Sequence, residues 1–490
     1  MLPVALYIKG RDGSADALRK KAARKQWQSL GHGIYCERDD DPSALAFSYW
    51  TDIVQWAFPD AIVSHRTAIS LRPEKDTVFL TRPISTYRNY QIGPLTIGVT
   101  PGDVKVGTRP IAKELRASDD ARAWLENLSV SRRRGEISRA LGQDALEVEL
   151  EKVMARNGES YLKDVRRKAH AVASRLGLEQ EAARLDALIG ALCATRPRAG
   201  ILKSERAIAR ADRAPFDHHV VGCFDALVSA LGDSELPATK VSLDRRSWRH
   251  QAFIESYFSN YIEGTRFPLS EAEEIIFHRR VDESRHADSH DILAVYDIAV
   301  DIDEMVNTPS TPDEFRQLLT RRHAFLMHDR PDKRPGKWKE KPNQAGNVVF
   351  AAPETVNGTL TQGFERYLDL PEGFARAVFV HFVITQVHPF DDGNGRLARL
   401  FLSAELVRAG ESKIIFPTVK RDDYINGLRL ANREEDSRTM LKVMRQLYRY
   451  TAVLPWREYD ELVDTLEAHH AFDDPDDGLV RFSRALRNMT

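Results

Sequence analysis

Val387-His-Pro-Phe-Asp-Asp-Gly-Asn-Gly-Arg-Leu-Ala-Arg-Leu400 is the stretch on which the reading of this chain turns. Upstream, Phe374, Val378, Phe382 and Thr385 share one face of a helix, which Pro389 ends. Downstream, Leu397, Leu400, Phe401 and Leu406 open a second helix that stops near Gly410. The loop between them concentrates side chains with one shared chemistry. Gly393 and Gly395 allow a tight turn whose N–H groups converge on an anion, and the turn feeds a helix N-terminus that favours phosphate. Arg396 and Arg399 add forked cationic donors. Asp392 is a hard oxygen ligand of the kind Mg²⁺ uses beside phosphates. His388 belongs to the residue type that is a neutral base near pH 7. Together they read as a nucleotide-phosphate site with a base placed to deprotonate an attacking hydroxyl.

The segment His388–Arg399 resembles the Fic (Fido) family motif HPFx(D/E)GNGRxxR and matches it at every fixed position. The resemblance implies AMP transfer from ATP to a hydroxyl side chain of a target protein. It makes His388 the activating base and Asp392 the ligand of a Mg²⁺ bridging the α- and β-phosphates. Gly393, Asn394 and Gly395 cradle phosphates, with Arg396 near the β-phosphate and Arg399 near the γ-phosphate. The Doc branch, which transfers phosphate, carries Lys where this chain has Gly395, so AMP transfer is expected here. The resemblance spans about 247–450. Within it, Lys420-Arg-Asp-Asp-Tyr424 and Ala431-Asn432 are similar to the adenine-side segment, offering Tyr424 and Asn432. Asn343-Gln-Ala-Gly-Asn-Val-Val-Phe350 is similar to the family's flap, with Gly346, Asn347 and Val348 at its centre, which pairs with an extended target segment by strand addition.

Ser259-Asn-Tyr-Ile-Glu-Gly264 places Ser259 and Glu263 four residues apart on a helix ended by Gly264. Alone it reads as an ordinary amphipathic helix. Beside the intact motif it resembles the inhibitory helix (S/T)xxxE(G/N) of class II members, which implies that Glu263 pairs with Arg399 and denies it to the γ-phosphate.

The rest of the chain sets bounds. Its 490 residues accommodate about three domains. Lys and Arg number 71 against 72 Asp and Glu, which excludes a globally basic nucleic-acid coat. Cys36, Cys193 and Cys223 form no disulfide framework or zinc spacing, so a reducing cytoplasm is the natural reading, and no apolar run is long enough to span a membrane. Asp16–Leu30 reads as a basic helix, Leu30–Glu37 as a strand entered through glycines, Asp39–Pro42 as a turn opening a helix, and Trp50–Phe58 as another helix. Residues 61–130 have strand and loop texture, 136–195 helical texture with a stop at Asn157-Gly158, and 196–215 the look of an exposed basic connector. From 216 onward the pattern is helical, with one interruption between Arg330 and Pro353. His381 reads as a core histidine, His218-His219 and His469-His470 as non-ligating pairs, and Arg132-Arg-Arg134 as solvated surface.

Trp27–Tyr35 and Ala61–Ala68 loosely resemble the start of AbiEi-type antitoxins, whose winged helix binds DNA. Only one helix fits before the supposed wing, where a winged helix needs about three, so a module recognising a target or partner protein is an equal reading. The expected fold is mostly α: an all-helical core with a short β-hairpin flap, an α+β N-terminal domain over 1–135, a helical connector over 136–215, the catalytic domain over 216–455 with an inhibitory helix at about 250–264, and a helical tail over 456–490. The expected function is autoinhibited, Mg²⁺-dependent AMP transfer from ATP to a Ser, Thr or Tyr hydroxyl. Two alternatives stand beside it: a DNA-binding, antitoxin-like regulator using the core as a sensor, and the reverse reaction, removal of AMP. The expected partner is the target protein, with a homo-oligomer and nucleic acid as secondary candidates and no membrane.

Overall fold

The computed structural model describes residues 6–9, 12–23, 27–129, 137–195, 200–232, 238–241, 244–281 and 285–489. The chain divides into two compact units, Met1–Arg213 and Ala214–Thr490. The basic residues Arg24, Lys25, Arg132–Arg134, Arg196 and Arg198 lie outside the described residues.

In the first unit, a helix Ala15–Ala23 precedes an antiparallel hairpin, Trp27–Gly31 with Ile34–Glu37, to which Tyr7–Ile8 adds a third strand. Of the stretch expected to be helical as far as Leu30, the part from Trp27 is strand. Trp27 stacks on Tyr7 across the sheet at 3.9 Å, a tertiary contact that overrides the helical spacing. Asp41 caps the next helix, Pro42–Ser48, by accepting the Ser43 N–H, and Trp50–Ala57 follows. Six short strands between Ile62 and Ser118 form one mixed sheet. Two helices expected as strand or loop interrupt this region, His65–Ser70 and Asp120–Leu128. The second is buried from Ala121 to Leu128, and its polar residues Arg122, Glu126 and Asn127 face protein rather than solvent. Helices Gln143–Asn157, Glu159–Leu176 and Glu179–Leu192 pack with it around Trp124, Leu146, Leu162 and Leu185, and Gly158 ends the first at φ +83°.

The basic connector is not plain solvated surface. Glu205–Ala211 is a helix, and its Arg206 and Arg210 both pair with the buried Glu151. Glu151 is 55 and 59 residues away, so the compensating carboxylate is invisible to local charge counting.

The second unit is helical among its described residues apart from short 3₁₀ turns and one hairpin, Gln344–Ala345 with Val348–Val349. At its centre lies the helix Phe374–Val387, apolar nearly all round and therefore enclosed by its neighbours. Phe379 and Phe382 meet Phe224 of the helix His218–Gly232, and Gly363 of Val356–Leu368 lets Val383 approach. After a six-residue loop the chain returns as Asn394–Arg408, also buried along most of its length. The helix Arg245–Ile262 runs against it, so the sharpest sequence motif sits where two buried helices and a third converge. No helix of the described residues is long and apolar enough to cross a membrane.

Candidate active site

His388 ends its helix in the left-handed region (φ +50°), donating its N–H to Ile384 O. Its ring lies flat on Phe350 at 3.9 Å, and Nδ1 is 3.3 Å from Thr385 O. A carbonyl only accepts, so Nδ1 carries the proton and Nε2 keeps its lone pair. Burial pushes the imidazole down to about 4, with Lys339 adding to the shift, while the Thr385 bond and the Glu263 and Asp392 charges oppose it. His388 is therefore neutral near pH 7.

The turn after it is built from its own side chains. Asn394 is buried and clamps the loop, accepting the Phe390 N–H through Oδ1 at 3.0 Å and donating from Nδ2 to Phe390 O at 2.9 Å. Its Oδ1 and one Nδ2–H are thus committed to the loop. Gly393 has φ +74°, and Leu397 makes the first intrahelical bond, back to Gly393 O. The preceding N–H groups are the orphan donors of a helix start. Asp392 is 44% exposed at its side chain and accepts the Gly393 N–H at 2.6 Å.

Three residues that sequence reasoning missed brace this turn. Lys339 is buried, and its ammonium is pushed down to about 8 by that burial. It donates to Val387 O and to Asn343 Oδ1, and Asn343 Nδ2 in turn donates to His388 O and Phe390 O. His323 stacks on Phe390 at 3.7 Å, accepts the Gly336 N–H at Nδ1, and donates from Nε2 to Asp392 O. Each acts across 45 to 69 residues, so no spacing announces it.

Arg399 is buried and held by the helix Arg245–Ile262. Its Nε donates to Ser259 Oγ and its Nη2 to Ser259 O, both at 2.9 Å, and Nη2 meets Glu263 Oε1 at 2.6 Å. Burial favours the neutral Glu263 carboxyl. The charge and hydrogen bond of Arg399, then Arg396 and His388, outweigh it and hold the group below the usual carboxylate range. Gly264 follows at φ +98° and ends the segment. A Cβ at Gly395 would collide with Glu263 Oε1, so the glycine makes room for the carboxylate at the phosphate turn.

Arg396 pairs through Nη1 with the buried Asp291 at 2.6 Å, a carboxylate shared with Arg330, and its Nη2 lies 4.0 Å from Asp392 Oδ1. Tyr424 is buried, its hydroxyl 2.8 Å from His381 Nε2. Asn432 stands one layer back, donating to Gln386 Oε1 at 2.7 Å. A cavity of about 180 Å³ is lined by Glu263, Gln386, His388, Gly395, Arg399 and Tyr424, with Ala345, Val348 and Phe350 of the hairpin region on one side. Gly346 and Asn347 form the exposed hairpin tip.

Residues 314–406 match the model of the Fic/DOC family. The chain carries a Fic/DOC family domain. Protein adenylyltransferase Fic of Drosophila persimilis is 28% identical over 203 residues, which are 40% of this chain and 39% of that protein. Its counterpart in Drosophila melanogaster is 27% identical over the same length, 40% of this chain and 41% of that one. The chain thus spans about two fifths of the length of these curated relatives. Among solved structures, Fic-1 (residues 134–508) from C. elegans aligns with 67% of this chain and 89% of its own at TM-score 0.36 and 17% identity. The Fic/DOC domain contains the whole His388–Arg399 segment, whereas Ser259, Glu263, Tyr424 and Asn432 lie outside the matched residues. Among the described residues, no group of three or more His, Cys, Asp or Glu could hold a metal ion alone. The exposed Asp392 beside a phosphate turn still fits Mg²⁺, which takes one or two carboxylates together with substrate phosphates.

Proposed function

We propose that this protein is a protein adenylyltransferase that transfers AMP from ATP to a Ser, Thr or Tyr hydroxyl of a target protein and is silenced by Glu263. The observation that carries the reading is His388, neutral with its Nε2 lone pair free, in one cavity with the Gly395 turn and Arg399. The target hydroxyl oxygen would attack the α-phosphorus. His388 Nε2 would take its proton, the bond to the β-phosphate bridging oxygen would break, and pyrophosphate would leave. The N–H groups of the 393–395 turn and the Arg399 guanidinium would hold the phosphates in line. Asp392 would hold a Mg²⁺ that neutralises phosphate charge. Tyr424 and Gln386, which line the cavity, would border the adenine, and Ala345 and Val348 would border an extended target segment along the hairpin.

A glycine rather than a lysine at position 395 favours AMP over phosphate transfer. The 180 Å³ cavity is below the ~300–1,000 Å³ of ligand pockets, which fits a site plugged by Glu263. The test is transfer from ATP labelled on either the α- or the γ-phosphate, by the Glu263→Gly variant in lysate. Protein-bound α-label without γ-label supports AMP transfer. Bound γ-label, or none of either, contradicts it.

A further inference from the structure

Glu263 is the last rung of a longer ladder. Glu255, Ser259 and Glu263 follow at four-residue intervals on one face of the segment Arg245–Glu263. They meet Ser403, Arg399 and Gly395, at the same interval in the opposite sense, on Asn394–Arg408. The far rung is ionic and dry. Glu255 Oε2 accepts from Lys413 Nζ at 2.8 Å, and its Oε1 accepts from Ser403 Oγ at 2.5 Å. The three residues are between 1% and 5% exposed. Lys413 also donates to Ala299 O at 3.2 Å and lies 4.2 Å from the Trp248 ring centroid, on the same helix as Glu255.

A buried ion pair is weak evidence for stability, because apolar residues of similar volume often serve as well or better. Its best attested use is to fix register, since only one alignment satisfies both charges. Sliding this helix by one turn, about 5.4 Å, in either direction would part Glu255 from Lys413, leave that ammonium buried without a carboxylate, and move Glu263 off Gly395.

We propose that the Glu255–Lys413–Ser403 cluster positions the inhibitory helix, fixing the register that holds Glu263 on Arg399. The inference rests on the reading that Glu263 blocks the ATP site. The paired substitution Glu255→Met with Lys413→Met, in the full chain, removes both charges while keeping volume. It should leave the melting temperature at or above that of the wild type. It should also tighten binding of a non-hydrolysable ATP analogue at least about fivefold and bring on self-modification, as expected of an uncoupled allosteric pair.

Combined with Glu263→Gly, the pair should add nothing, because register no longer matters once the carboxylate is gone. A merely structural role would change both backgrounds alike, and that result overturns the proposal. Silence of the paired variant beside an active Glu263→Gly overturns the latch and leaves the proposed function standing. Silence of both removes the blocking role on which the latch depends. If the paired variant fails to fold, Ser403→Ala deletes one bond and keeps the ion pair. A smaller gain in the same direction supports the latch, and unchanged silence with Glu263→Gly active overturns it.

Discussion

Replacing Glu263 by Gly should convert a silent protein into an active one, and the structure sets the size of the effect. The Arg399 fork makes three contacts with the segment Arg245–Glu263, two to Ser259 and one to Glu263. Only the last is lost. A hydrogen bond to a charged group is worth ~1.5–3 kcal/mol, or about 10–100-fold. Glu263 is 32% exposed at its side chain, so solvent screens the pair and the lower end of that range applies to ATP affinity. The gain in transfer should exceed the gain in binding. A carboxylate resting on Gly395 and Arg399 would block the γ-phosphate and tilt the α-phosphorus away from in-line attack. Isothermal titration with ATP reads the first effect and intact-protein mass the second. Glu263→Gln, which keeps the bulk and loses the charge, should fall between. Arg399→Ala should not activate, because it frees Glu263 and deletes the phosphate ligand together. Equal ATP affinity and equal labelling of the wild type and the Gly variant would refute the autoinhibition argument.

Three further outcomes follow. Transfer should require a divalent cation, and Asp392→Ala should lower transfer strongly while shifting its Mg²⁺ dependence upward; undiminished activity in excess chelator would contradict this. A chain beginning near residue 216 should keep ATP binding and, with Glu263→Gly, self-modification, yet lose the physiological target; full modification of that target by the shortened chain would contradict a recognition role for residues 1–195. Stability should fall as pH drops from 6.5 toward 4. Buried His323 is pushed down to about 4 and His381 to about 3, so below 6.5 the unfolded chain binds protons that the folded one does not. Each contributes about 1.4 kcal/mol per pH unit there, and chemical denaturation across that range checks the slope.

The parts of the site that are contiguous in sequence were legible, and so was the helix bearing Ser259 and Glu263. Local periodicity and a glycine stop define that helix, and the 393–395 turn carries its own chemistry. The contacts that brace them were not. Lys339, Asn343 and His323 look ordinary in their own neighbourhoods, and only the fold brings them to the loop around His388. Glu255 and Lys413 are 158 residues apart, so no local pattern pairs them. Arg396 and Asn432 have partners that spacing does not show, Asp291 for the first and Gln386 for the second. In the first unit, Trp27–Leu30 continues a helical spacing that stacking on Tyr7 overrides.

The central claim is that His388 is the base of an AMP transfer, and one comparison tests it most directly. Glu263→Gly and Glu263→Gly with His388→Ala are incubated with ATP and Mg²⁺, and intact mass is recorded beside ATP titration of both. The first should gain one or more AMP masses. The second should bind ATP about as well, since the imidazole makes no phosphate contact in this assignment, and should lose transfer by ~10²–10⁴-fold. AMP addition at the same rate in both proteins would contradict the account.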